Sequence, residues 1–184
     1  MNLFGKTETD DLTVKGDFDL TNAVQRDLTF PVTAIKQGSN SKPDYDYTNN
    51  GFSFPQNDLT EVASMGEELD HVYKAGTPIQ IHAHMRQSHS GQAVFAGEYR
   101  WTNGGETFGA WTPFTLDKYV YDYNSGGDMH QILYQELMIE GAGKGESSFF
   151  EMRVWRTDAV HTGEVVVKEF SVHYYADKIG KNLM

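Results

Sequence analysis

His82 and His84 are the residues whose type and spacing come closest to chemistry. Two positions apart on a strand, they point to the same side, and a pair of imidazoles needs only a third ligand to bind zinc, iron or manganese. His173 and Glu98 are candidates for that ligand from neighbouring strands. A metal motif built on such a pair calls for a carboxylate a few residues later, and positions 85–89 (MRQSH) hold none. Arg86 falls on the same face, where its charge repels a cation. The expectation is therefore no metal: His82, His84, Arg86 and His173 form a polar outer face or a subunit contact.

Other constellations fall short for definite reasons. Serine, histidine and aspartate are all present, but no Gly-x-Ser-x-Gly elbow exposes a nucleophile. The carboxylate pairs Asp10–Asp11 and Glu67–Glu68 are adjacent, so on a strand they face opposite ways and make no hydrolytic dyad. The run 141–145 (GAGKG) looks like a phosphate loop but lacks the Ser or Thr after its lysine and a following helix, so it reads as a tight turn. Trp101 and Trp111 flank a glycine turn and could stack on sugars, although tryptophan in a strand more often serves a core or an interface. No residue is assigned a catalytic role and no cofactor is implied.

The elements that must carry these side chains are strands. Residues 78–86 (PIQIHAHMR) alternate Ile79, Ile81, Ala83 and Met85 against Gln80, His82, His84 and Arg86, the period of a half-buried strand. Residues 93–102 and 111–123 follow, separated by Asn103-Gly104-Gly105, a hairpin signal. Residues 129–140 read as a strand in competition with a helix. Residues 147–157 place Phe150, Met152 and Val154 inward, and 164–176 place Val166, Phe170, Val172 and Tyr174 on one face, interrupted by Lys168. Upstream, 28–35 (LTFPVTAI) is a strand held to an edge or bulge by Pro31. Residues 37–50 form a turn-rich loop, 51–54 a short aromatic strand, and 61–73 either a strand pair broken at Gly66 or a short helix. About eight strands without a long helix predict an all-β fold, an antiparallel β-sandwich or closed barrel.

Residues 1–26 are polar and acidic, with isolated apolar positions at Leu3, Phe4, Leu12, Val14, Phe18 and Leu20. They predict an extended N-terminal arm that drops these side chains into pockets on a partner, or else an added strand. The compact domain is placed at 27–184. The chain's 184 residues suit one domain, or one domain with an arm. A net charge of −11 argues against a nucleic-acid groove and an anionic membrane. The absence of cysteine excludes disulfides and thiolate sites. The first residues lack the apolar core of a signal peptide.

Four stretches in order, 28–38 (LTFPVTAIKQG), 71–86 (HVYKAGTPIQIHAHMR), 141–156 (GAGKGESSFFEMRVWR) and 170–184 (FSVHYYADKIGKNLM), resemble a family of tailed-bacteriophage virion proteins. Met85 departs from its pattern, which has an aromatic after the histidine pair. The resemblance implies a jelly-roll-like structural protein of the virion: a head decoration, head fibre or tail fibre, homotrimeric, bound to capsid or tail proteins and assembled in the host cytoplasm. A carbohydrate-binding, lectin-like module directed at a host surface glycan, and a cupin-like metalloenzyme, are the competing readings.

Overall fold

Alternation of apolar and polar residues commits this chain to strands, because period two presents one apolar face where a helix would scatter it. The computed structural model of the protein describes residues 19–31, 35–37, 43–55, 61–87, 91–120, 129–157 and 163–178. These contain eleven strands: β1 (Asp19–Pro31), β2 (Lys36–Gln37), β3 (Asp44–Asp46), β4 (Gly51–Phe54), β5 (Val62–Glu68), β6 (Gln80–Gln87), β7 (Phe95–Thr102), β8 (Thr112–Tyr119), β9 (Met129–Gln135), β10 (Phe149–Arg156) and β11 (Val165–Lys178). Their order is β2-β5-β10-β7-β8-β9-β6-β11-β4-β3, with β1 also on β11. Neighbouring strands pair antiparallel throughout.

The sheet curls until its two halves face each other, giving the expected antiparallel sandwich of jelly-roll kind. Phe54 of β4 meets Phe95 of β7 edge-on at 5.2 Å, and Phe95 in turn meets Phe170 of β11 at 6.4 Å. Between the halves lie Ile81, Ala83 and Met85 from β6 and Phe150, Met152 and Val154 from β10, all essentially without solvent contact. At about 25 cal/mol per Å² of apolar area, burial of these side chains is the main force that closes the sheet.

β11 organises the layer that carries the histidines. It pairs with β6 along one edge, and with β4 and then β1 end to end along the other. A bulge between Val167 and Glu169 lets one strand serve both. The extra residue is Lys168, and it reverses the strand's parity. Val165 and Val167 face the core before it; Phe170, Val172, Tyr174 and Ala176 face it after. The expected inward face therefore held one wrong member, Val166, which is buried on the other side against the backbone at Gly51.

Several segments differ from the sequence reading. Residues 61–68 are neither helix nor broken strand: β5 runs through Gly66, opposite Glu151. Within the expected loop 37–50, Asp44–Asp46 pairs with β4. Asn103-Gly104-Gly105 does not close a two-residue hairpin, because the connection runs from Asn103 to Trp111. Asn103 instead accepts from Gly145 N at 3.0 Å and donates to Gly143 O at 2.9 Å, tying two loops together. The segment assigned to an arm is a strand from Asp19: Val24, Gln25 and Arg26 are in register with Ala176, Tyr175 and Tyr174. Leu20 lies in β1, whereas Leu3, Phe4, Leu12, Val14 and Phe18 lie outside the described residues.

Candidate functional site: a histidine-lined sheet face

The outer face of four neighbouring strands is a polar field. Register places Tyr134 of β9, His82 of β6, Ser171 of β11 and Thr29 of β1 in one row. The next row along holds Ile132, His84, Glu169 and Pro31, and the row on the other side holds Gln80, His173 and Asp27. Cross-strand neighbours on one face stand about 4.5–5.5 Å apart at Cβ, so residues far apart in sequence touch.

Within this field the histidines divide into two groups. His82 and His173 have ring centroids 4.1 Å apart, tilted by 35°, and His173 Nε2 lies 2.9 Å from Asp27 Oδ1. Ligand atoms of Asp27, His82 and His173 all fall within 4.8 Å of one another. Tyr134 flanks both rings, at 5.6 Å from His82 and 5.9 Å from His173. A cleft of about 480 Å³, bordered by Gln25, Gln80, Lys118, Tyr134 and Glu136, opens onto His173. The second group centres on His84, whose Nδ1 is 3.0 Å from His130 Nε2 and whose Nε2 is 3.7 Å from Glu169. Arg86 stands four residues from His82, about 13 Å along the strand, and its guanidinium donates to Asn49 Oδ1.

His82 is only 2% exposed, and its Nδ1 is buried without a hydrogen-bond partner. Burial lowers its pKa to about 3, with smaller contributions from His173 and His84. Burial also lowers that of His84, opposed by Glu169. The facing groups are His84 on its own strand, Tyr134 on β9, His173 on β11 and Asp27 on β1. Folded His82 thus stays neutral to about pH 3, whereas the unfolded side chain takes up a proton near pH 6.5. The unfolded state binds more protons between those values, so stability falls as pH falls through that window and is flat above it for this group. The expected loss approaches about 1.4 kcal/mol per pH unit at most. Urea unfolding of wild type and His82→Gln at pH 7.5 and 4.5 checks it. The variant should show a smaller acid loss than wild type, and equal losses would refute the assignment.

The remaining candidates are dispersed. Glu98 pairs with Arg153 on β10 and takes no part in the histidine field. Trp101 belongs to the core: its Nε1 donates to Ser148 Oγ at 2.7 Å, and its ring packs on Tyr73 and Phe150. Trp101 therefore offers no face to a sugar, which removes half of the expected stacking pair. Trp111 lies on the outside between the guanidiniums of Arg100 and Arg153, each 4.6 Å from its ring. Residues 141–145 make a turn, with Lys144 N bonded to Gly141 O at 2.9 Å, and lead into β10.

Sequence reasoning missed Asp27, fifty-five positions before His82 and visible only through the β1–β11–β6 register. It also missed a contact of Ser147 Oγ with the His71 ring at 3.3 Å. Glu68 approaches that ring only to 3.8 Å, too far to orient it by a hydrogen bond, and both residues are about half exposed. Ser147 has a positive φ of 59°, an unusual local geometry that it shares with Asn50.

Of the four stretches that carry the resemblance, 71–86, 141–156 and 170–184 are joined by main-chain hydrogen bonds, and 28–38 pairs along β11. Gly76 N donates to Lys144 O at 2.9 Å, Lys74 N to Tyr175 O at 2.7 Å and Asp177 N to Val72 O at 3.3 Å. Tyr73 packs on Tyr174, and Phe30 is in register with Phe170. No protein-family model matches the sequence, and no curated protein does. Among solved structures, the enzymatically active domain of tailspike protein 4 from bacteriophage CBA120 is similar at TM-score 0.31 and 12% identity. That match covers 86% of this chain, which spans only 20% of the tailspike chain. The Eiger TNF of S. frugiperda is similar at TM-score 0.32 and 9% identity, covering 88% of this chain and 98% of that one.

Proposed function

We propose that this protein is a non-enzymatic structural component of a tailed-phage virion, oligomeric, displayed on the head or in the tail, and attached through the segment that precedes β1. The observation that carries the reading is that three of the four stretches, 71–86, 141–156 and 170–184, join in one hydrogen-bonded junction around Tyr73, Gly76, Lys144 and Tyr175, while 28–38 pairs with the last of them along β11 at Phe30 and Phe170. The sandwich itself, with its core closed and a polar outer face on β9, β6, β11 and β1, is suited to display.

The test is direct. Gradient-purified tailed particles should contain the chain at a fixed copy number, a multiple of three if the unit is a trimer, and antibody against it should label intact particles. Its absence from purified particles would sink the proposal. Attachment is tested with a chain beginning at Asp19, because a cut at Asp27 would also remove the β1 residues paired with Tyr174, Tyr175 and Ala176. The shortened chain should stay folded and fail to bind particles that lack the protein. Undiminished binding would rule out the N-terminal attachment.

A further inference from the structure

We propose that Asp27, His82 and His173 form a binding site for a divalent transition-metal cation of the zinc class. Two imidazoles and one carboxylate, contributed by three adjacent strands, are a ligand set of borderline hardness that suits Zn²⁺ and its first-row neighbours. Their ligand atoms already lie within 4.8 Å of one another. A tetrahedral ion with bonds of about 2.0–2.1 Å sets its ligands about 3.3 Å apart, so small side-chain rotations complete the approach. The Asp27 side chain, 50% exposed, has room for them.

A second observation is the state of His82. A buried ring nitrogen without a partner is rare, because a group taken out of water and left unsatisfied loses its hydration without replacement. The Asp27–His173 contact satisfies one side of the cluster and leaves His82 Nδ1, and His173 Nδ1 as well, with nothing. A cation gives the His82 ring nitrogen a partner that no group among the described residues supplies.

Both objections raised by sequence lose their force in three dimensions. The missing carboxylate is Asp27, delivered by β1 instead of by the continuation of β6. Arg86 sits about 13 Å along the strand and is turned to Asn49. The cleft beside His173 opens the site to solvent. Three protein ligands leave a coordination position free, for water or for a group from another molecule.

The experiment is calorimetric titration of the full chain, stripped with EDTA, with zinc chloride, repeated on Asp27→Asn, His173→Gln and the control His130→Gln. Circular dichroism verifies that each variant is folded. The expected result is one zinc per chain, affinity weakened at least about tenfold (about 1.4 kcal/mol) by either site substitution, and no change with His130→Gln. Cobalt added to the stripped chain should give the visible absorption of a low-symmetry, four- or five-coordinate site. Failure of wild type to bind zinc overturns the proposal. So does binding that both folded site variants retain in full, or that His130→Gln abolishes.

Discussion

Replacing Arg156 by methionine should lower the free energy of unfolding by about 3 kcal/mol, the largest loss expected from any charged residue among the described ones. Among the described residues, Arg156 is the largest side chain with no solvent exposure. It reaches from β10 across the core, and its guanidinium donates to Phe54 O at 2.7 Å and to Gly163 O at 2.8 Å. Both acceptors are main-chain carbonyls, one at the end of β4 and one at the entry to β11. An apolar side chain of similar length fills the space but leaves each carbonyl buried and unbonded, at about 1–3 kcal/mol apiece. Relief from burying a guanidinium offsets part of this. Both bonds leave one nitrogen, Nη1, so lysine, whose ammonium carries three donors on a single nitrogen, should recover part of the loss. Guanidinium chloride unfolding of Arg156→Met and Arg156→Lys measures the effect. A loss under about 1 kcal/mol for methionine would show that the two carbonyls find other partners.

Gly141→Ala should be as damaging, by a different route. A Cβ built on Gly141 would stand 1.9 Å from the carbonyl oxygen of Thr77 and 2.5 Å from the hydroxyl of Tyr73. That hydroxyl donates to the same Thr77 carbonyl, in a side chain 1% exposed. Accommodation therefore means moving main chain, not a flexible side-chain tip, and it pulls apart the bridge between Ile79 and Ile139 next to it. Overpacking of this kind costs about 1–3 kcal/mol and more when backbone must shift, so about 3 kcal/mol or failure to accumulate folded protein is expected. Gly104→Ala is the control: nothing lies within 4 Å of its Cβ, and its φ is not in the left-handed range. It should stay within about 0.5 kcal/mol of wild type. Thermal unfolding of the two proteins side by side decides the matter, and equal melting temperatures would refute the close-packing argument.

Much of the layered architecture was legible because burial in a sandwich writes itself into strict alternation. The inward sets of β6 and β10 could be named residue by residue, since each strand is regular and packs one face on the core. Legibility stopped where regularity stopped. Lys168 shifts the register of β11 by one, and the misassignment of Val166 followed from assuming one parity along the strand. β3 and β5 were missed or left open because Asp44–Asp46 and Gly66 are poor strand formers by propensity, held in place by partners β4 and β10. Arg156 drew no notice in sequence, although the alternation that turns Phe150, Met152 and Val154 inward puts it on the same face.

By itself the sequence determined the class of fold, the inward faces of its regular strands, the shared side of His82 and His84, and the composition that excludes thiol chemistry. Those follow from properties local to a strand: period, residue size and polarity. Only the tertiary structure decided which histidine meets which. Pairing of β1 and β6 on opposite edges of β11 sets Asp27 beside His173 and His173 beside His82, and sends His84 to His130 and Glu169. Strand order and register are properties of the whole chain, fixed by the burial of some thirty side chains at once, and no spacing along a single strand encodes them.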